Sequence, residues 1–251
     1  MEVGFIGSGN MASALARGWG EPVRATDNGS GRAAALVEEL GGEVMGSNAE
    51  LADACDLVIL CHKPYQLDAV ASEIAERVQI VVSVLGGVSI AQLQAAFPNA
   101  QVFRMMPNTP VEVGRGVTCY CQAPGVDRET ERAVLERFLA LGTVVTLEEG
   151  LMAVAMGMMS VAPAYWALMA EAHIDAGVRA GLPAPVAAEL AVEAIAGTAE
   201  LLRARGFDTL AVRREVTSPG GSTARGLAAL ERAGIRAAFY DALDAVIDPT
   251  R

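Results

Sequence analysis

Through residue 147 the chain alternates between short apolar runs and longer stretches with helical periodicity. Residues 1–6 predict a short buried strand that stops at Gly7-Ser8-Gly9. Ala12, Leu15, Ala16 and Trp19 then recur at the spacing of one helix face. Residues 23–26 predict a second strand ending at Asp27, and Ser30 is placed to cap a helix that runs to Leu40 and stops at Gly41-Gly42. Ser47 can cap a further short helix. Residues 57–61 are apolar without interruption, as expected of a parallel strand covered on both faces. Pro64 suits the first turn of the helix after it. Two more buried strands are predicted over 80–84 and 102–106, closed by Gly86-Gly87 and by Pro107. A strand over 117–121, a helix over 128–141 and a strand over 143–147 complete the series. Strands alternating with helices predict an α/β fold with a Rossmann-type doubly wound sheet.

The pattern changes near Glu148. Beyond it no strand is expected, and helices are predicted over 152–181, 185–205, 222–233 and 235–247. The expected organisation is therefore a sheet domain over 1–148 followed by an all-helical domain over 149–251. Residues 248–251 are expected to fray.

Composition narrows the function classes. The chain has 251 residues, 52% of them hydrophobic and 20% charged, enough to build a core and too apolar for disorder. A net charge of −11 works against nucleic-acid binding, which needs a basic face. No membrane association is expected: the most hydrophobic stretch, 151–172, contains Pro163 and Glu171 and reads as a buried helix. The start of the chain has neither a basic lead nor a cleavage site, so no targeting segment is expected. Cys55, Cys61, Cys119 and Cys121 fall at no metal-binding spacing and read as thiols of a reducing cytoplasm. Lys63 is the single lysine, which excludes any mechanism that needs one elsewhere.

Two segments carry candidate chemistry. Gly7-Ser8-Gly9-Asn10-Met11-Ala12 matches a Gly-x-Gly-x-x-Ala turn between a strand and a helix. Such a turn lets backbone approach a pyrophosphate, and the helix start offers N–H donors and the positive end of a dipole. Asp27 lies twenty residues after Gly7, where an acid commonly binds the ribose hydroxyls of NAD; a turn role is the other reading. Asn28, Ser30 and Arg32 supply chemistry suited to NADP, so the choice between NAD and NADP stays open. Lys63 and Pro64 follow one strand and Asn108 another, on the edge of the sheet where ligands bind, and Asn108 could face a nicotinamide amide.

The second segment is Ser218-Pro219-Gly220-Gly221-Ser222-Thr223, between two helices. Its glycines free the backbone to wrap a small anion, and its hydroxyls add donors, with no basic side chain. An ordinary Pro-Gly turn with a serine cap is the other reading. Taken together, a reduced nicotinamide and a small carboxylate substrate suggest hydride transfer. A C=O acceptor usually needs a general acid, whereas a protonated C=N bond is already electrophilic. Residues 149–251 contain no lysine, and their only histidine is His173. This tilts the reading towards imine reduction.

The chain resembles the pyrroline-5-carboxylate reductase family along nearly its whole length. The resemblance is carried by the segment Gly4 to Ala12, by His62-Lys63-Pro64, and by Arg104-Met105-Met106-Pro107-Asn108-Thr109-Pro110. In the second half it is carried by Pro163-Ala164-Tyr165, Glu171-Ala172, Asp175-Ala176-Gly177-Val178, and most specifically by Val216-Thr217-Ser218-Pro219-Gly220-Gly221-Ser222-Thr223. It implies reduction of L-1-pyrroline-5-carboxylate to L-proline with NAD(P)H. Gly7, Ser8, Gly9, Asn10, Met11 and Lys63 would line the cofactor. Ser218, Gly220, Gly221, Ser222 and Thr223 would hold the substrate carboxylate and approach the ring nitrogen, with Thr223 donating to that nitrogen. The resemblance also implies a homodimer with interlaced helical domains, often assembled into a decamer. Met159-Ser160-Val161-Ala162 and Asp208-Thr209 depart from the family pattern. These departures motivate two alternatives, a reductase of another cyclic imino acid and a non-catalytic dinucleotide-binding member. A β-hydroxyacid dehydrogenase would need a lysine in the helical domain, and none is there.

Overall fold

The computed structural model describes residues 1–248; of the expected frayed end, residues 249–251 lie outside them. The central apolar runs form strands that are buried on both faces, and shorter or more exposed strands add at the two edges. These are β1 (Val3–Ile6), β2 (Val23–Thr26), β3 (Gly42–Val44), β4 (Leu57–Leu60), β5 (Ile80–Ser83), β6 (Gln101–Pro107), β7 (Gly116–Cys121) and β8 (Gly142–Thr146). Among the described residues they make one sheet in the order β3-β2-β1-β4-β5-β6-β7-β8. All pairs are parallel except β6 with β7. The intervening helices are α1 (Asn10–Trp19), α2 (Arg32–Leu40), α3 (Asn48–Ala54), α4 (Leu67–Ile74), α5 (Ile90–Ala96) and α6 (Arg128–Leu139). This is the doubly wound sheet that the alternation predicts.

Successive strand residues feed two cores, one on each face of the sheet. Val58 and Leu60 of β4 join Ile6, Leu93 and Phe97 on one face. Leu57 and Ile59 join Phe5, Leu15, Phe103 and Phe138 on the other. Trp19 meets Phe138 edge to face at 5.6 Å, and its indole N–H donates to the Arg137 carbonyl. Cys119 and Cys121 are buried side by side in the first core. Burial raises both thiol pKa values, which keeps them protonated and inert.

Several elements differ from the sequence expectation. Strand β3 is a three-residue exposed edge with no apolar alternation to announce it. Helix α5 follows the Gly86-Gly87 turn and is capped by Ser89, which accepts from the Gln92 N–H. Ser47 caps α3 as expected, accepting from Glu50. Ser30 does not cap α2: Gly31 takes that position with φ 76°, and Asp27 supplies the acceptor instead.

The chain divides into two compact units, residues 1–160 and 161–248 of those described. The stretch after β8 stays with the first unit. Glu149 accepts from the N–H of Ile90 at 2.7 Å and forms an ion pair with Arg104 of β6. The expected helix over 152–181 is divided into α7 (Met152–Ala155), a π turn over Met156–Ser160, and α8 (Ala162–Arg179). Pro163 sits in the first turn of α8, where its missing N–H removes no helical bond. The helical segments from Glu149 to Arg179 follow one another with a bend at Val161 and together make a run of 31 residues. By length and composition alone that run could cross a membrane, with a mean hydropathy of 1.5, contrary to the expectation drawn from Pro163.

The second unit continues with α9 (Ala184–Ala204), α10 (Thr209–Glu215), α11 (Ser222–Arg232) and α12 (Ile235–Ile247), and no strand is found among its described residues. Helix α10 was not expected; Asp208 caps it by accepting from Leu210 and Ala211. Gly177 lets α8 approach Leu182 and Ala187, where a Cβ would stand 3.3 and 3.4 Å away. Trp166 of α8 meets Phe239 of α12 at 5.9 Å. This unit buries little: α11 and α12 contain no buried residue, and Leu168 and Leu190 are 64% and 56% exposed.

Phe138 is 1% exposed between the Trp19 ring and the sheet. Replacing it with alanine is expected to cost about 3–5 kcal/mol, read as a lowered urea midpoint at unchanged slope.

Candidate active site

In a parallel sheet every crossover returns the chain so that strand carboxyl ends share one edge. Here strand order reverses between β1 and β4, with β2 and β3 on one side and β5 and β6 on the other. Gly7 and His62 face each other at that switch point. Gly7 has φ +91°, and a Cβ there would lie 2.7 Å from the His62 nitrogen, so only glycine fits. The Gly7 N–H and the Ser8 hydroxyl both donate to the Thr26 carbonyl, at 3.1 and 3.0 Å, which pins the turn to β2. A Cβ on Gly9 would meet nothing within 4 Å, so this glycine faces open space.

Gly9 opens α1 without a side-chain cap, and the first turn, with Asn10 and Met11, holds no acid. Its free N–H groups therefore remain available to an anion. The adjoining groove has a volume of about 420 Å³ and is lined by Ser8, Asn10, Ser13, Arg17, Arg32 and Thr109. An open glycine, an uncapped helix start and an adjacent groove suit the pyrophosphate of a dinucleotide.

The other expected cofactor residues are distributed unevenly. Lys63 is exposed at the end of β4, and Pro64 begins a 3-10 turn over Pro64–Gln66. Burial lowers the His62 pKa, and its Nδ1 lies 2.9 Å from the Lys63 carbonyl. A carbonyl only accepts, so Nδ1 carries the proton and Nε2 is a bare acceptor. That Nε2 is buried and finds no hydrogen-bond partner. Asn28 is exposed on the β2–α2 turn. Asp27 is tied down: Oδ1 accepts from the Gly29 N–H at 2.8 Å, and Oδ2 accepts from the Ser30 hydroxyl and the Ala33 N–H, both at 3.0 Å. The Ala33 bond first, then those from Gly29 and Ser30, hold its carboxyl below the usual range.

Asn108 holds scaffold at this edge. It is 7% exposed, its Nδ2 donates to the Met159 carbonyl at 3.0 Å, and its Oδ1 accepts from the Val117 N–H at 2.8 Å. The side chain therefore braces β7 and the π turn, using one of its two amide N–H groups and one lone pair of its oxygen. Sequence spacing located the residue but not these partners, which lie 51 and 9 positions away.

The loop of the second unit has a related design. Gly220 has φ +68°, and the Gly221 N–H donates to the Ser218 carbonyl at 3.0 Å, closing the turn. A Cβ on Gly221 would stand 2.4 Å from the Ser218 Oγ. Gly221 opens α11 without a side-chain cap or first-turn acid, and Ser222 and Thr223 are its first two residues. The expectation of no basic side chain needs correction. Arg225, one turn into α11, donates to the Gly220 carbonyl at 2.7 Å and brings a positive charge to the loop. The signal was its position three residues after Ser222. His173 is exposed on α8.

A doubly wound sheet with an open Gly-x-Gly turn at its switch point defines a dinucleotide-binding oxidoreductase fold. Residues 149–251 match the family model "Pyrroline-5-carboxylate reductase dimerisation", and residues 2–87 match "NADP oxidoreductase coenzyme F420-dependent". The chain is 37% identical to the pyrroline-5-carboxylate reductase of Synechocystis sp., over 98% of this chain and 95% of that one. Identity to the Thermus thermophilus pyrroline-5-carboxylate reductase is also 37%, with the same coverage. Among solved structures, pyrroline carboxylate reductase of Plasmodium falciparum with NADP bound superposes with a TM-score of 0.87. It is 28% identical, over 98% of this chain and 95% of that one. The chain belongs to the pyrroline-5-carboxylate reductase family, whose members are NAD(P)-dependent oxidoreductases.

Asp27→Ala removes the acceptor at the start of α2 and is expected to cost about 1 kcal/mol at neutral pH. The folded-state pKa is depressed, so this contribution is complete above the unfolded aspartate pKa and is lost as pH falls through the folded value. Urea midpoints of wild type and variant should therefore converge as the buffer is acidified.

Proposed function

We propose that this protein reduces the C=N bond of L-1-pyrroline-5-carboxylate to give L-proline, using NAD(P)H. The observation that carries the reading is a pair of glycine turns, each opening a helix with no cap and no acid in its first turn, α1 and α11. Two such donor sets suit one pyrophosphate and one small carboxylate.

In this reading the Gly7-Ser8-Gly9 turn and the N–H groups of Asn10 and Met11 hold the cofactor phosphates, with Lys63 and Pro64 at the neighbouring strand end. Bound reduced nicotinamide supplies the hydride. Ser218, Gly220, Gly221 and Ser222 hold the substrate carboxylate, and Arg225 adds charge beside them. The Thr223 hydroxyl donates a hydrogen bond to the lone pair of the neutral ring nitrogen, polarising the C=N bond and orienting its carbon for the hydride. No lysine lies in residues 149–251 and His173 is exposed, so the chemistry relies on an electrophilic C=N bond. The enzyme class is an oxidoreductase acting on a CH–NH group, working in the cytoplasm.

The altered stretch from Met159 to Ala162 favours a second substrate reading, a reductase of another cyclic imino acid. Its first two residues belong to the π turn whose Met159 carbonyl is held by Asn108. We propose a domain boundary at 148–149, where the match to the dimerisation model begins, although residues 149–160 group with the first compact unit.

The assembly is a homodimer of the helical domains, extended to a decamer as in the family. The support is physical: a helical unit with Leu168, Leu190 and Trp166 more than half exposed buries too little to stand alone. Sedimentation of the purified protein should give a mass of at least two chains; a monomer at micromolar concentration would remove this part of the reading.

Activity is tested by following NAD(P)H oxidation with L-1-pyrroline-5-carboxylate. Thr223→Ala is expected to lower kcat about 100-fold with little change in dinucleotide affinity. Turnover only on a different cyclic imine would favour the second substrate reading. Dinucleotide binding without turnover on any imine would leave a non-catalytic member.

A further inference from the structure

An arginine in the middle of a sheet needs a reason to be there. Arg104 stands in β6 opposite Ser83 of β5 and Cys121 of β7, with 13% of its side chain exposed. A guanidinium so enclosed is costly unless it is paired. Its partner is Glu149, the first residue of the helical run that leads out of the sheet. One oxygen of Glu149, Oε1, accepts from Arg104 and also, at 2.7 Å, from the N–H of Ile90, which opens α5. Burial works against the Glu149 charge, but the Ile90 N–H and then Arg104 hold its carboxyl below the usual range.

The same run is held again near its π turn, where Asn108 donates to the Met159 carbonyl. Between the two holds, Met152 and Met159 are buried in the first core. The holds are matched in length. From Arg104 to Asn108 the extended chain advances about 13 Å. From Glu149 to Met159 a helix advances about 15 Å. The segment therefore lies along β6 as a splint and runs towards the carboxyl edge of the sheet. After Ser160 the chain bends at Val161 and passes into the second unit.

We propose that Arg104 and Glu149 are positioning residues for hydride transfer: they clamp this splint to β6 and so fix the point at which the chain enters the helical unit. Neither acts on substrate or cofactor directly. The proposal rests on the reductase reading, in which a substrate held by Ser218 to Thr223 presents its C=N carbon to a nicotinamide held by the first unit. A displacement of about 1 Å at the start of the helical run is enough to cost about 100-fold in rate. The glycine turns at Gly7 and Gly220 lie outside the clamp, so each keeps its own ligand.

The test combines steady-state kinetics on L-1-pyrroline-5-carboxylate with calorimetric titration by NADH and NADPH, using Arg104→Met, Arg104→Lys and Glu149→Gln in the intact protein. Arg104→Met and Glu149→Gln should lower kcat about 100-fold, with the imine KM and both dinucleotide affinities within about twofold of wild type. Arg104→Lys retains the charge and should turn over about tenfold faster than Arg104→Met. Hydrogen exchange supplies a second readout: amides of residues 152–160 should exchange about tenfold faster in Arg104→Met and Glu149→Gln, with those of α1 unchanged. Where Arg104→Met fails to fold, Glu149→Gln carries the test, because its amide oxygen still accepts from the Ile90 N–H. A wild-type kcat in a folded variant overturns the proposal, as does a loss of rate matched by a loss of dinucleotide affinity. Failure of wild type to reduce any imine would instead overturn the reductase reading; the clamp itself then stands or falls on the exchange of residues 152–160.

Discussion

The parallel ladder of β2, β1 and β4 is the constraint on which the first unit depends. These strands are buried on both faces, so their backbone groups must pair with each other and their side chains must fill two cores at once. A parallel ladder forces each connection to cross over, and every crossover delivers a strand's carboxyl end to the same edge. The glycine turn, His62-Lys63 and Asp27 come together because of that topology. The helix start beside Gly9 is open because its N-cap residue is a glycine, which has no side chain to accept from the first-turn N–H groups.

Polar side chains around this edge divide into those that hold the scaffold and those left open. Ser8, Asn108 and Glu149 hold it: each bonds to backbone from another element. A buried amide such as that of Asn108 would be costly to leave unpaired, so its bonds to β7 and the π turn fix a rigid edge. Asp27 belongs to both groups. It accepts from donors at the start of α2 and leaves its half-buried carboxylate at the end of β2. The helical unit shows the opposite balance, with open donors at α11 and apolar side chains left exposed along α8 and α9. Such a surface is consistent with the dimerisation model that residues 149–251 match.

Much of this was legible in the chain. Seven of the eight strands were legible, the central ones most plainly, because a doubly buried strand such as β4 is a continuous apolar run. Strand β3 was not, since three exposed edge residues carry no alternation. The helix starts at α3 and α6 show why caps are readable: Ser47 and Asp127 accept from N–H groups two or three residues on. Local bonds of that kind leave a local signature. Asp27 reaches six residues to Ala33 across two glycines, beyond any cap motif, so its partners were hidden although its position was not.

Local order along the chain therefore determined most of the sequence of elements, the glycine turns and the candidate anion-binding segments, because each depends on neighbours within a few residues. The antiparallel insertion of β7, the hold of Asn108 on Met159 and the tie of Glu149 to Arg104 join residues 9 to 59 positions apart or more than one strand away. Only the tertiary structure decided those. Side chains at such separations meet through the packing of the sheet, and a linear pattern of hydrophobic and polar residues does not specify which of many possible partners the packing will supply.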